Sequence, residues 1–186
     1  LVHLGIDWTA SARCVHRSDA PGTGELFVSE LQGPEGVASL ADLIDGWLAD
    51  FAASSQVVSA IDRGTSDDTR FGEPRWYVRM RGDSKDVITV WLTLGQRTLR
   101  YETYVMPAPE ENAAELYEQL LRRNDRLVGA HFSIGLEDAV YLRGELADHA
   151  LNGDELDRVL GTLYATVEQV FQPLLRVGFA SRFTDD

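Results

Sequence analysis

Apolar positions along this chain change period several times, and each change marks an element. From Ser39 onward, Leu40, Leu43, Ile44, Trp47, Leu48 and Phe51 recur at helical spacing. Ser39 reads as the N-cap of that helix, with Asp42 three residues on. An apolar stripe of this width is expected to bury against a sheet. A short β-prone run, 56–61, follows. Residues 62–74 then read as a polar loop broken by Gly64, Gly72 and Pro74. The period next drops to two. Trp76, Val78 and Met80 alternate with Tyr77, Arg79 and Arg81, so one strand face is buried and the other wet. Gly82-Asp83-Ser84-Lys85 turns the chain. The run from Val87 to Leu94 is nearly all apolar or β-branched, which suits a central strand. Gly95-Gln96 places Gly at the first central position of a two-residue hairpin. In the strand that follows, Leu99, Tyr101, Thr103 and Val105 take one side, and Arg100, Glu102 and Tyr104 the other.

Pro107-Ala108-Pro109-Glu110-Glu111 is read as opening a second helix, with Pro109 in its first turn and the glutamates at the positive end of its dipole. Leu116, Leu120, Leu121 and Leu127 mark its buried stripe. Arg122, Arg123 and Arg126 sit near its negative end. Residues 131–134 and 139–143 read as a strand pair around Gly135-Leu136-Glu137-Asp138. Asn152, with Glu155 three residues on, opens the last helix in a capping-box arrangement. Pro173 is expected to kink or end it. The resulting order, α-(β)-β-β-β-α-β-β-α, predicts an α+β fold with an antiparallel sheet flanked by helices. Residues 1–37 are rich in Gly, Pro, Ser and Thr. They are expected to form a weakly ordered or docked extension to a domain over 38–183.

Composition narrows the function classes. One cysteine, Cys14, among 186 residues leaves no internal disulfide and no cysteine-based zinc site. The formal net charge of −13 repels phosphate, so neither nucleic acid nor an anionic membrane is an expected partner. No run approaches the length of a membrane span. The first twenty residues carry Asp7, Arg13, His16 and Arg17 and lack the apolar stretch of a signal peptide, so a cytoplasmic location is expected.

Motifs for chemistry are missing. There is no Gly-x-Ser-x-Gly elbow and no phosphate-binding loop; the single lysine, Lys85, lies in a turn. His3, His16, His131 and His149 are far apart in sequence. His131 reads as a hydrogen-bonded structural histidine beside Phe132, and His149 as a solvated loop residue. Asp67-Asp68 and Glu110-Glu111 read as loop solvation and helix-dipole complementarity rather than acid–base pairs. The stretch 148–157 fails as a calcium loop, because Ala150 and Val159 fall where ligands are needed. No catalytic residue, metal or cofactor is therefore expected. The densest basic spot, Arg122-Arg123-Asn124-Asp125-Arg126, reads either as helix-terminal charge or as a contact for an acidic partner segment.

One ordered series of short motifs carries a resemblance. It comprises Thr89-Val90-Trp91-Leu92, Tyr104-Val105-Met106 with Pro109-Glu110-Glu111-Asn112, and Leu120-Leu121-Arg122-Arg123-Asn124. It continues with Asp138-Ala139-Val140-Tyr141-Leu142 and Gly144, Glu155-Leu156-Asp157-Arg158, and Gly178-Phe179-Ala180-Ser181. Over roughly 38–183 the chain resembles the YbjN family of sensory-transduction regulators, in its actinobacterial form. The resemblance implies a fold similar to the type III secretion chaperones, often dimeric, with no established enzyme activity, cofactor or ligand. Residues 1–37 lie outside the family pattern.

Two functional expectations follow. The first is a non-enzymatic protein-binding, chaperone-like or regulatory module. It would pair with itself as a homodimer and hold an unknown protein or peptide. Its anchors would be Trp91 and Tyr104 on the wet sheet face and Arg122, Arg123 and Arg126 at the helix end. The alternative is a small-ligand-binding sensor, with Trp76, Tyr101 and Arg123 as pocket candidates.

Overall fold

Gly33 and Pro34 start the first helix. The computed structural model describes residues 31–69 and 71–183. In it α1 spans Pro34–Ser54, so Ser39 lies inside the helix and Gly33 is the N-cap. Pro34 takes the first helical position, where its fixed φ fits and its missing N–H costs nothing. Four strands follow: β1 (Val58–Arg63), β2 (Arg75–Arg81), β3 (Val87–Leu94) and β4 (Thr98–Met106). Helix α2 (Ala113–Asn124), the hairpin β5 (His131–Ile134) and β6 (Val140–Ala147), and helix α3 (Gly153–Gly178) follow among the described residues. This is the predicted α+β order.

All five strand pairings are antiparallel, and the sheet order is β1-β2-β3-β4-β6-β5. The alternation read from the sequence sets the layers. Trp76, Val78, Met80, Ile88, Val90, Leu92, Leu99 and Leu142 turn to one side and are buried with Ile44 and Leu48 of α1, Leu116 and Leu120 of α2, and Leu160 and Val167 of α3. Each such large side chain, fully buried, contributes about 1.5–3 kcal/mol. All three helices therefore cover one face of the sheet. The other face carries the wet positions of every strand.

Two local expectations are corrected. The segment 107–111 does not form the first turn of α2. Asn112 adopts a left-handed conformation, φ 49°, immediately before the helix. The amides of Glu110 and Glu111 instead both donate to the Gly178 carbonyl oxygen, at 2.9 Å each. Their carboxylates reach Arg182 and Ser181, so they tie down the chain end rather than complement a dipole. Pro173, in turn, does not end α3, which runs 26 residues through it. The carbonyl that Pro173 leaves without a helical donor belongs to Gln169. Both residues are exposed, so water can serve that oxygen.

Helix α3 also braces the β2–β3 turn. Glu168 accepts from the amides of Asp83, Ser84 and Lys85 at 2.7, 2.9 and 3.2 Å. Tyr164 donates to the Arg81 carbonyl and Gln172 to that of Ser84. These three residues recur every fourth position, so one helix stripe holds the whole turn. At the sheet margins, β1 carries a bulge between Val58 and Ala60, and β5 is only four residues long.

Candidate functional site

Strand register builds the open face. Across the sheet, Tyr77 pairs with Trp91, Trp91 with Glu102, Glu102 with Arg143 and Arg143 with His131. In the next row Tyr104 pairs with Tyr141. The Trp91 and Tyr141 rings lie 6.1 Å apart at 40°, and Tyr104 meets Tyr141 edge-on at 5.6 Å. Arg143 sits 4.4 Å from the Tyr141 ring centroid while its Nε donates to Glu102 at 2.6 Å. Aromatic pairs of this geometry add about 0.5–1.5 kcal/mol each beyond their buried area. Apart from His131, which is exposed at the margin, these side chains are half-buried, so the cluster is rigid and still accessible.

Beside it lies a groove of about 490 Å³ lined by Arg75, Thr93, Arg100, Arg143, His131 and Glu145, among others. Its charges are of both signs, and its arginines are already held. Arg75 Nε donates to Thr93 Oγ1 at 2.9 Å, and Arg100 pairs with Glu73 at 2.7 Å. Tyr101 and Gly144 also line it. The Tyr101 hydroxyl donates to the Gly129 carbonyl at 2.5 Å, and burial raises its pKa against the opposing pull of Arg158.

The arginines singled out in the sequence lie elsewhere. Arg122, Arg123 and Arg126 line a groove of about 460 Å³ on the helical layer, with Leu127, Phe132 and Val170. Arg122 pairs with Glu118 one turn back. Arg123 and Arg126 have no ion-pair partner among the described residues. Asn124 fixes the groove by clamping β5: its side chain accepts from Phe132 N at 2.7 Å and donates to Phe132 O at 3.2 Å. The structure thus splits the five candidate binding residues into two surfaces, Trp91 with Tyr104 and the three arginines. It does not gather the sensor candidates. Trp76 is core, with its indole N–H on Asp45 at 2.6 Å, while Tyr101 and Arg123 line different grooves.

Other groups take unexpected places. His131 and His149 are both exposed, so His131 is not tucked into the core. His3, His16 and Cys14 lie outside the described residues. Among the described residues no three His, Cys, Asp or Glu side chains are grouped to hold a metal ion. No described helix is long and apolar enough to cross a membrane. Lys85 donates to the carbonyls of Tyr104 and Val105 and lies 4.8 Å from the Tyr104 ring centroid; burial lowers its pKa to about 8. Asp148 is buried, and its carboxylate oxygens have no hydrogen-bond partner among the described residues. Its pKa is raised by burial, with the His149 charge pulling the other way.

Residues 41–176 match the model of the YbjN family, described as "Putative bacterial sensory transduction regulator". The chain belongs to the YbjN family. Among its relatives are uncharacterized proteins of Mycobacterium tuberculosis and Mycobacterium bovis, 38% identical over 108 residues, and one of Mycobacterium leprae, 33% identical over 107 residues. Each alignment covers 58% of this chain and 58–59% of the relative, so the chain matches about three fifths of the length of these curated relatives. Two solved structures share a partial likeness. One is a chain of the heterodimeric complex ExoU–SpcU from the type III secretion system of Pseudomonas aeruginosa. It has a TM-score of 0.46 and 15% identity, over 70% of this chain and 96% of that one. The other is from the Yersinia pestis type III secretion chaperone SycH in complex with a fragment of YscM2. It has a TM-score of 0.46 and 16% identity, over 70% of this chain and 98% of that one.

Sequence reasoning missed Tyr141, the ring that joins Trp91 to Tyr104. The motif containing it was noticed, but its place opposite Tyr104 depends on the β4–β6 pairing. That pairing spans α2 and β5 and has no local signal.

Proposed function

We propose that this YbjN member is a non-enzymatic, regulatory protein-binding module that works in the cytoplasm as a homodimer, its two copies meeting through the open sheet face. The body carrying this role is taken as the unit over 38–183, with 1–37 as an extension to it whose last residues, from Pro34, already belong to α1. The supporting observation is the Trp91–Tyr141–Tyr104 cluster, rigid and half-buried on a face that none of the three helices covers. Aromatic and arginine anchors of this kind dominate contact energies. A two-fold interface also requires a self-complementary patch. The open face meets that need, because Arg75, Arg100 and Arg143 alternate with Glu73, Glu102 and Glu145 around the rings. Six strands of about 4.8 Å spacing give a width of roughly 24 Å, enough for a contact near the usual size of about 800 Å² per partner.

Light scattering on the full chain tests this reading. The expected mass is twice that of the chain, falling to the monomer in Trp91→Ala and in Arg143→Glu. A monomeric wild-type chain at about 100 μM, weaker than any dimer of about 10⁻⁴ M affinity, sinks it. A second reading, a small-ligand sensor, draws on the 490 Å³ arginine-lined groove. Thermal-shift measurements with small mono- and dicarboxylates test it, and no stabilisation at millimolar concentration removes it.

A further inference from the structure

We propose that the arginine groove between α2 and α3 binds an acidic peptide segment of a partner protein, one that interleaves carboxylates with apolar side chains. This rests on the protein-binding reading above and names the partner's chemistry at a second, separate surface. Charge sign is the first argument. The open sheet face mixes both signs, whereas this groove presents Arg122, Arg123 and Arg126 together. Two copies meeting groove to groove would set guanidinium against guanidinium, so a second copy does not fit by two-fold symmetry. In a chain of net charge −13, two of these three arginines have no carboxylate partner among the described residues. A planar guanidinium offers paired donors matched to a carboxylate.

The groove's walls supply the second argument. Phe132 and Val170 line the groove and are buried. Leu127, half-buried, lines the groove with them, and Leu121 and Val128, 68% and 78% exposed, flank it in sequence on the helix end and the loop that follows. A purely ionic ligand would leave that apolar surface unused. The negative end of the α2 dipole opposes an anion by about half a charge, which three guanidinium groups exceed. A nucleic acid would carry its phosphates beyond the groove, over an acidic surface that repels them. A short peptide touches the groove alone.

Fluorescence anisotropy tests the proposal with a labelled peptide of about 12 residues alternating Glu with Leu and Phe. Controls are the same peptide with Lys for Glu and a single-stranded RNA of similar length. The acidic peptide is expected to bind the full chain saturably, and to weaken several-fold between about 50 and about 300 mM salt. Arg123→Ala with Arg126→Ala should weaken it at least about tenfold. Arg122→Ala, whose guanidinium is already held by Glu118, should cost less than about threefold. Circular dichroism confirms that each variant is folded. No saturable binding, equal binding of the lysine peptide, tighter binding of the RNA, or full affinity in the double variant overturns the proposal. Light scattering in parallel separates the two readings. Lost peptide binding with an intact dimer removes only the groove, and a monomer that binds the peptide removes only the sheet-face contact.

Discussion

A methyl group added at Gly144 should destabilise the protein far more than one added at a glycine with open space around it. The Cβ of Gly144→Ala would overlap the Gly129 carbonyl oxygen and stand 2.5 Å from the Tyr101 ring. Neither neighbour can give way cheaply. Gly129 is backbone at φ 77°, and Tyr101 is a core residue whose hydroxyl donates to that same carbonyl. Overpacking of this kind costs about 1–3 kcal/mol, and losing the Tyr101 hydrogen bond adds about 1, for a total of about 2–4 kcal/mol. In a chain of this size that lowers Tm by about 4–16 °C. Gly161 provides the contrast. It lies mid-helix in α3 with nothing within 4 Å of a Cβ, so Gly161→Ala should stabilise by about 0.5–1 kcal/mol. Urea unfolding followed by tryptophan fluorescence measures both. If Gly144→Ala lies within about 0.5 kcal/mol of wild type, the strap of Gly129 over β6 is not the fixed contact described here.

Asp148→Asn should stabilise at pH 7 by about 1–2 kcal/mol, because it removes a buried carboxylate that has no hydrogen-bond partner among the described residues. The raised folded pKa means that wild-type Asp148 costs most at neutral pH and least near its ordinary 3.8, so the advantage of Asn should shrink as pH falls; a constant gain from pH 7 to 4 in urea titrations contradicts this. Lys85, the single lysine, should titrate in a carbon-13 NMR experiment with a midpoint near 8 rather than 10.5. Because burial disfavours its charged form, that penalty is complete below the folded pKa and relieved as pH rises towards 10.5; a midpoint above 10 rejects the buried placement. Thr103→Val should raise stability by about 1–2 kcal/mol, since the Thr103 hydroxyl is buried in the core without a partner among the described residues; a loss would mean that it has one.

What the sequence made legible was whatever repeats locally. The strict alternation in β2 and β4 placed Trp76, Val78 and Leu99 inside, and Asn152 with Glu155 marked the start of α3, where the Asn152 side chain accepts from Glu155 N. Local signals misplaced α1 and α2 because tertiary contacts decided there. Pro34 carries α1 back past its polar Ser39, and the Gly178 carbonyl captures Glu110 and Glu111 before α2 can begin. The wet face was readable as wet, so Trp91 and Tyr104 were found. Tyr141 and the Gly129–Tyr101–Gly144 packing were not, because they depend on β6 inserting between β4 and β5. Glu168 was hidden for a similar reason: its three amide donors lie more than eighty positions away.

The sheet's two margins bear on what kind of assembly this protein can make. A long, flat outer strand is a template on which another chain can polymerise, copy after copy. Here β1 is twisted by its bulge at Ser59, whose hydroxyl is turned back onto the Arg79 carbonyl, and it ends in Asp62 and Arg63. At the opposite margin β5 offers four residues and then a tight turn through Glu137 and Asp138, both at positive φ. Neither margin gives an incoming strand a straight ladder of any length. Growth by fibril-like strand addition is therefore blocked at both ends. A two-fold contact through the broad sheet face would close on itself, so on the proposed reading a rise in concentration should yield a finite particle rather than an insoluble one.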